Sequence, residues 1–162
     1  MRLRTMENPI HLTAFQTLGA APTPMAWPEV IGALQQGTID GQENPLSVIV
    51  SAKLNEVQKY LTLDGHVYSS TIILVSPSLW NGLDDAQKAA FDKAAKDAVV
   101  AMRAYVDEVD ASGVASMKDA GMQVNELSPE QKAAFRDALA RPYQQYEAQF
   151  GKELMDRIQA VE

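Results

Sequence analysis

Residues 2–45 alternate short extended signals with helical ones, in the order strand, helix, strand, helix, strand. Consecutive strands separated by helices cannot form hairpins. They return to the same sheet by crossover and lie parallel. The chain is therefore read as α/β with a mainly parallel sheet. Arg2-Leu-Arg-Thr5 suits the first strand, and Asn8 reads as an N-cap with Pro9 at the first helical position. His11, Leu12, Phe15 and Leu18 follow at helical spacing, and Gly19 closes the helix. Pro22 and Pro24 make 20–25 extended but confine it to an edge, because proline has no N–H to give a ladder. A second helix starts near Trp27-Pro28-Glu29, buries Val30, Ile31 and Leu34, and ends at Gly37.

The polar end of this unit is Ala33-Leu-Gln-Gln-Gly-Thr-Ile-Asp-Gly-Gln-Glu-Asn-Pro45. Gly37 is suited to a left-handed helix stop, Thr38-Ile39-Asp40 to a short extended piece, and Gly41 to a further turn. Pro45 fits the first turn of a following helix, expected to reach about Lys53. Gln42, Glu43 and Asn44 thus gather before a helix N-terminus, where N–H groups and the dipole favour an anion. Asn44, which both donates and accepts, is suited to a carboxylate. A plain polar loop with a cap is the competing reading.

Downstream, 61–66 holds a short strand and a turn at Asp64-Gly65. Residues 67–75 are the clearest strand signal in the chain, with Thr71, Ile72, Ile73 and Val75 β-branched. Ser76-Pro77 opens a short helix around Trp80, and Asp84 to Gln87 forms a capping box. From there to about Ala120 only Gly113 interrupts an apolar spacing of three and four. A helix of that length would run about 50 Å, against a radius of gyration of about 15 Å for a compact domain of this size. It either crosses between two lobes or kinks near Ser112-Gly113. A strand at 122–127, a capping box at Ser128-Pro-Glu-Gln131, and helices over 129–140 and about 143–160 complete the reading.

Composition removes several functions. With no cysteine, a thiol nucleophile, a disulfide scaffold and a Cys-based zinc site are all excluded. A net charge of −7 without a basic run argues against nucleic acid or an anionic membrane surface as partner. No stretch approaches the roughly 18 apolar residues of a membrane span. The start, Met1-Arg-Leu-Arg-Thr running into Glu7, has no apolar segment of a secretion signal, which taken literally predicts a cytoplasmic location. The two histidines lack a nucleophile at a recognisable elbow, so no catalytic triad is read. Asp40, Glu43 and His66 could gather a divalent metal as in a hydrolase, but their spacing matches no zinc or calcium motif. Arg4, at a strand end, is the best candidate to pair a carboxylate bidentately. Arg2 alternates with it and should face the same side, so pattern cannot separate the two. Trp27 reads equally as a ligand-stacking ring or a core residue.

Four stretches carry a resemblance. They are Arg2-Leu-Arg-Thr-Met-Glu-Asn-Pro9, Gly19-Ala-Ala-Pro-Thr-Pro-Met-Ala-Trp27, the 33–45 stretch, and Glu56-Val-Gln-Lys-Tyr-Leu61 through His66. In this order they strongly resemble the solute-binding proteins of TRAP transporters, the DctP type. The resemblance implies a periplasmic, two-lobed binding protein of type II-like α/β fold. Such a protein is not an enzyme and has no cofactor; it closes over a small carboxylate, a dicarboxylate among the candidates, and delivers it to membrane permease subunits. By the same resemblance Arg4 salt-bridges the ligand carboxylate, Asn44 hydrogen-bonds it and Trp27 packs on the ligand. Glu7 falls at a further contact, and His66 at the water network of the pocket. It further implies that 1–69 and 110–162 form most of the second lobe, and that 70–109 give a strand and helix to the first. The rest of the first lobe and a signal peptide would be absent. A fragment of this kind is expected to expose apolar faces that invite self-association, and it either binds alone or is incompetent without its other half. A sensor domain on the same fold is the remaining alternative.

Overall fold

The computed structural model describes residues 1–161 and is mixed α/β. In chain order the elements are β1 (Arg2–Thr5), α1 (Pro9–Thr17), β2 (Ala21–Pro24), α2 (Trp27–Gln35), β3 (Gly41–Gln42) and α3 (Leu46–Ser51). A 3₁₀ turn (Leu54–Glu56) leads to β4 (Tyr60–Leu63), α4 (Pro77–Gly82) and α5 (Asp85–Asp119). Then follow β5 (Gln123–Glu126), α6 (Pro129–Ala138), α7 (Ala140–Phe150) and α8 (Lys152–Gln159). The chain divides into two compact units. The first holds Met1–Asn44, Glu56–Asp64 and everything described from Gln123 onward; the second holds Pro45–Asn55 and Gly65–Met122.

In the first unit β1 is central, with β2 and β3 parallel on either side, Arg4 opposite Thr23 and Gln42. β2 lies at the edge, as its two prolines require. β4 and β5 form a second parallel pair. Leu3, Val30, Ile39 and Leu61 are buried and supply the apolar core. α1 begins where Asn8 accepts from the N–H groups of Ile10 and His11, with Pro9 in the first turn. α7 packs on α1, where the Tyr146 and Thr13 hydroxyls lie 3.2 Å apart.

Four expectations in this unit are corrected. Ile31 is 37% exposed, so α2 buries Val30 but not its neighbour. Thr38-Ile39-Asp40 is a bend, and the strand comes one step later at Gly41–Gln42. Asp40 already meets β1 there: its backbone N–H donates to the Arg2 carbonyl at 2.8 Å, and its carboxylate accepts from the Arg2 backbone N–H, Nε and Nη2. Gly41 therefore sits in the strand rather than in a turn, against Leu3 and Gln58. The helix expected over 143–160 is two helices, because Gly151 takes φ 82° and ends α7.

The Arg2 contacts hold the Asp40 carboxyl well below its ordinary value, at about 2. A depressed folded value means the pair stabilises fully above about pH 4, the unfolded value, and is lost as pH falls through about 2. An NMR carboxyl titration should give Asp40 a midpoint near 2 that returns to about 3.8 in Arg2→Ala. A wild-type midpoint at 3.8 would remove the pair from the account of acid stability.

In the second unit α3 packs along α5, with Ile49, Leu54, Val109, Met117 and Met122 buried. Ser76 caps α4, and Asp84 and Gln87 close a reciprocal capping box at α5. α5 spans 35 residues as a single helix through Gly113. Gly113 faces Leu46 and Val50 so closely that a Cβ there would lie 3.2–3.3 Å from their side chains. It is a packing glycine, not a break. α3 ends at Ser51, short of Lys53, which adopts φ 52°. Residues 67–75 form no strand. Tyr68, Ile72, Ile73 and Leu74 are exposed there, and no neighbouring strand pairs with their backbone among the described residues. β-propensity reflects fit to a paired, half-buried sheet, and that partner is missing here.

Candidate functional site

The C-terminal ends of β1, β2 and β3 bring Arg4, Met25 and the 42–44 loop together in the first unit, the usual ligand edge of an open parallel sheet. Arg4 is 4% exposed. Its Nε and Nη2 both donate to the Met25 carbonyl, at 2.9 and 2.8 Å. Its guanidinium carbon lies 5.7 Å from the centre of the Trp27 ring, a cation–π distance. That places Trp27 against the arginine and not in the apolar core; the ring is 37% exposed. Burial pushes the Arg4 guanidinium below the ordinary arginine value, and the charge of Glu43 partly offsets this. The group stays cationic at any physiological pH. Two of its five N–H donors are engaged by Met25, which fixes the plane of the fork.

Arg2, on the same strand, meets a different fate. It lies outside the buried end of β1, and its guanidinium binds Asp40 and the Gly37 carbonyl. The hydrogen bond to Asp40 and its charge raise the Arg2 guanidinium above the ordinary arginine value. The tertiary structure thus separates two arginines that alternation could not.

Asn44 is half-buried, and its Nδ2 donates to Gln42 Oε1 at 2.5 Å. The anion site expected at the next helix is not supported. α3 is six residues long, begins after Pro45 and has no side-chain cap, so its dipole is short. Glu43 turns instead towards α1, where Oε1 lies 3.6 Å from His11 Nδ1, both side chains being largely buried. Glu7 is exposed between β1 and α1 and makes no side-chain hydrogen bond or ion pair among the described residues. His66 belongs to the second unit, on an exposed irregular stretch. Asp40, Glu43 and His66 form no metal-binding group, and none exists among the described residues.

The spacing marks His11 only as a helix-face residue. The available signal was its place in the first turn of α1, three positions after the Asn8 cap and beside the end of β1. Thr5, fully buried with no partner for its Oγ1 among the described residues, is likewise not marked by the sequence. Nothing in a strand pattern marks a buried hydroxyl.

Residues 1–149 match the family described as bacterial extracellular solute-binding protein, family 7, DctP. The chain is 49% identical over 162 residues to a solute-binding protein of Verminephrobacter eiseniae, covering 100% of this chain and 48% of that one. It also superposes on a TRAP periplasmic solute-binding protein from Bordetella bronchiseptica, whose structure has density assigned to pantoate. There the TM-score is 0.92 and the identity 54%, covering 100% of this chain and 53% of the other. A protein of the same description from Polaromonas sp. JS666, bound to D-erythronate, gives a TM-score of 0.93 and 46% identity, with coverage of 100% and 53%. These relatives are transport proteins that bind solutes, and the chain spans about half the length of each. With its parallel sheet, its buried arginine and this similarity along its length, the chain belongs to the DctP family of extracellular solute-binding proteins.

Proposed function

We propose that the chain is the carboxylate-holding part of a periplasmic solute-binding protein that serves TRAP permease subunits without catalysing a reaction. Arg4 anchors the carboxylate, Asn44 pairs with it, Trp27 forms a wall and Glu7 is a further contact. In this reading 1–69 and 110–162 belong to the second lobe, and 70–109 carry elements to the first. The observation that carries the proposal is Arg4, a buried cation whose fork is held in place by Met25 and Trp27. A buried charge is expensive unless an opposite charge meets it, and a planar fork suits a carboxylate. The exposed apolar run at 67–75 supports self-association of the isolated chain.

The ligand class follows from one cation with amide neighbours. One guanidinium matches one carboxylate, while Gln42 and Asn44 can read hydroxyl groups. Pantoate, to which density is assigned in one similar protein, and D-erythronate, bound by another, are both monocarboxylates with a 2-hydroxyl. A short hydroxy acid is the preferred ligand over a second-carboxylate acid such as succinate.

Thermal melts against D-erythronate, pantoate, galactonate and succinate test this. At about 100 times its dissociation constant a ligand adds about 2.7 kcal/mol, or roughly 5–10 °C in midpoint for a chain of this size. A shift with the hydroxy acids that exceeds that with succinate is expected. The 48% coverage of the relative's length is equally consistent with one other reading, that the chain folds but does not bind alone. A cooperative melt unmoved by every acid would select it.

A further inference from the structure

The His11–Glu43 contact is not explained by packing. His11 Nδ1 is buried with no hydrogen-bond partner among the described residues. Its nearest charged neighbour is Oε1 of Glu43 at 3.6 Å, on side chains only 15% and 12% exposed. An unprotonated Nδ1 would set two acceptors facing each other in a dry environment, an arrangement with a cost and no return. A proton on Nδ1 turns the same geometry into a donor aimed at a carboxylate. A movement of about half an ångström brings it to hydrogen-bond length. Glu43 in turn acts on Arg4 through its charge.

We propose that His11 is a positioning residue: its Nδ1–H holds the Glu43 carboxylate and keeps it from closing onto the fork of Arg4. The fork is thereby left for a ligand carboxylate, which would otherwise compete with an internal one. The consequence for affinity rests on Arg4 being the anchor; the pairing itself does not.

Two measurements on the full chain test it. The first needs no ligand. ¹⁵N NMR of the imidazole at a pH where it is neutral should show His11 as the Nδ1–H tautomer, and Glu43→Gln should alter that signature because the second nitrogen's bonding sets the tautomer. An Nε2–H tautomer in both proteins would overturn the pairing. The second is calorimetric titration with D-erythronate. His11→Leu should weaken binding about tenfold, the scale of one charge-assisted hydrogen bond. His11→Asn, which can place an amide donor near the Nδ1 position, should restore affinity to within about twofold. In the Glu43→Gln background His11→Leu should change affinity less than about twofold, since the group it positions is gone. Equal losses in His11→Leu and His11→Asn, at unchanged melting temperature, would overturn the positioning role. Failure of the anchor reading looks different: Arg4→Ala would leave D-erythronate affinity unchanged while the tautomer result stands.

Discussion

Arg4→Ala is expected to reduce D-erythronate affinity by at least about 30-fold, because truncating one partner of a buried, hydrogen-bonded charge pair costs about 2–5 kcal/mol. The effect should be large for two reasons present in the unliganded chain. The guanidinium is already desolvated, so little further desolvation opposes ligand capture. Its fork is already oriented by two bonds to Met25 and by the Trp27 ring, so little side-chain entropy is lost on binding. Arg4→Lys keeps the charge but not the fork. It cannot bind Met25 through two nitrogens and a carboxylate bidentately at once, so a loss of roughly tenfold or more is expected. The alanine variant should also melt earlier by about 1–3 kcal/mol, because the Met25 carbonyl loses both donors. Titration calorimetry and a melt separate the two effects. A protein that melts earlier yet binds D-erythronate as tightly as wild type would make Arg4 a structural residue only.

Gly113→Leu is expected to destabilise the second unit by about 3 kcal/mol, the upper part of the range for forcing extra carbons into a packed contact. Leu46 and Val50 of α3 leave only 3.2–3.3 Å to a Cβ, and the remaining carbons of leucine would have to push α3 off α5. At about 2–4 °C per kcal/mol, the midpoint should fall by roughly 6–12 °C. Gly113→Ala is the informative control. Alanine gains up to about 1 kcal/mol over glycine in a helix interior, while its Cβ must displace two side chains by a few tenths of an ångström. The two terms are of similar size, so little net change is expected. A leucine variant as stable as wild type would show that α3 does not need to lie this close.

Local chemistry settled much of this molecule in advance. Asn8, Ser76, Asp84 and Ser128 each cap the helix their spacing announced, since a cap needs only a side-chain oxygen within three residues of free N–H groups. The two prolines of β2 dictated its edge position, and the alternation over 2–45 dictated a parallel sheet. Two glycines, Gly19 and Gly37, follow the helices they were expected to end, each with positive φ.

What escaped was whatever depends on a neighbour distant in the chain. Residues 67–75 have strand composition, but a strand exists only when another backbone pairs with it, and none does among the described residues. Gly113 looked like a break because a sequence window cannot see Leu46 and Val50 pressing on it from more than sixty residues away. Arg2 and Arg4 share one face of one strand, and only the positions of Asp40, Met25 and Trp27 made the first a surface ion pair and the second a buried cation. The same holds for His11 of α1, whose nearby carboxylate, Glu43, follows β3. The sequence by itself determined where the capped helices begin and which family the chain resembles, because caps, turns and loop motifs are short-range. The tertiary structure alone decided which charges are buried and which side chain each one meets, because burial and Coulomb interactions depend on distance in space, not along the chain.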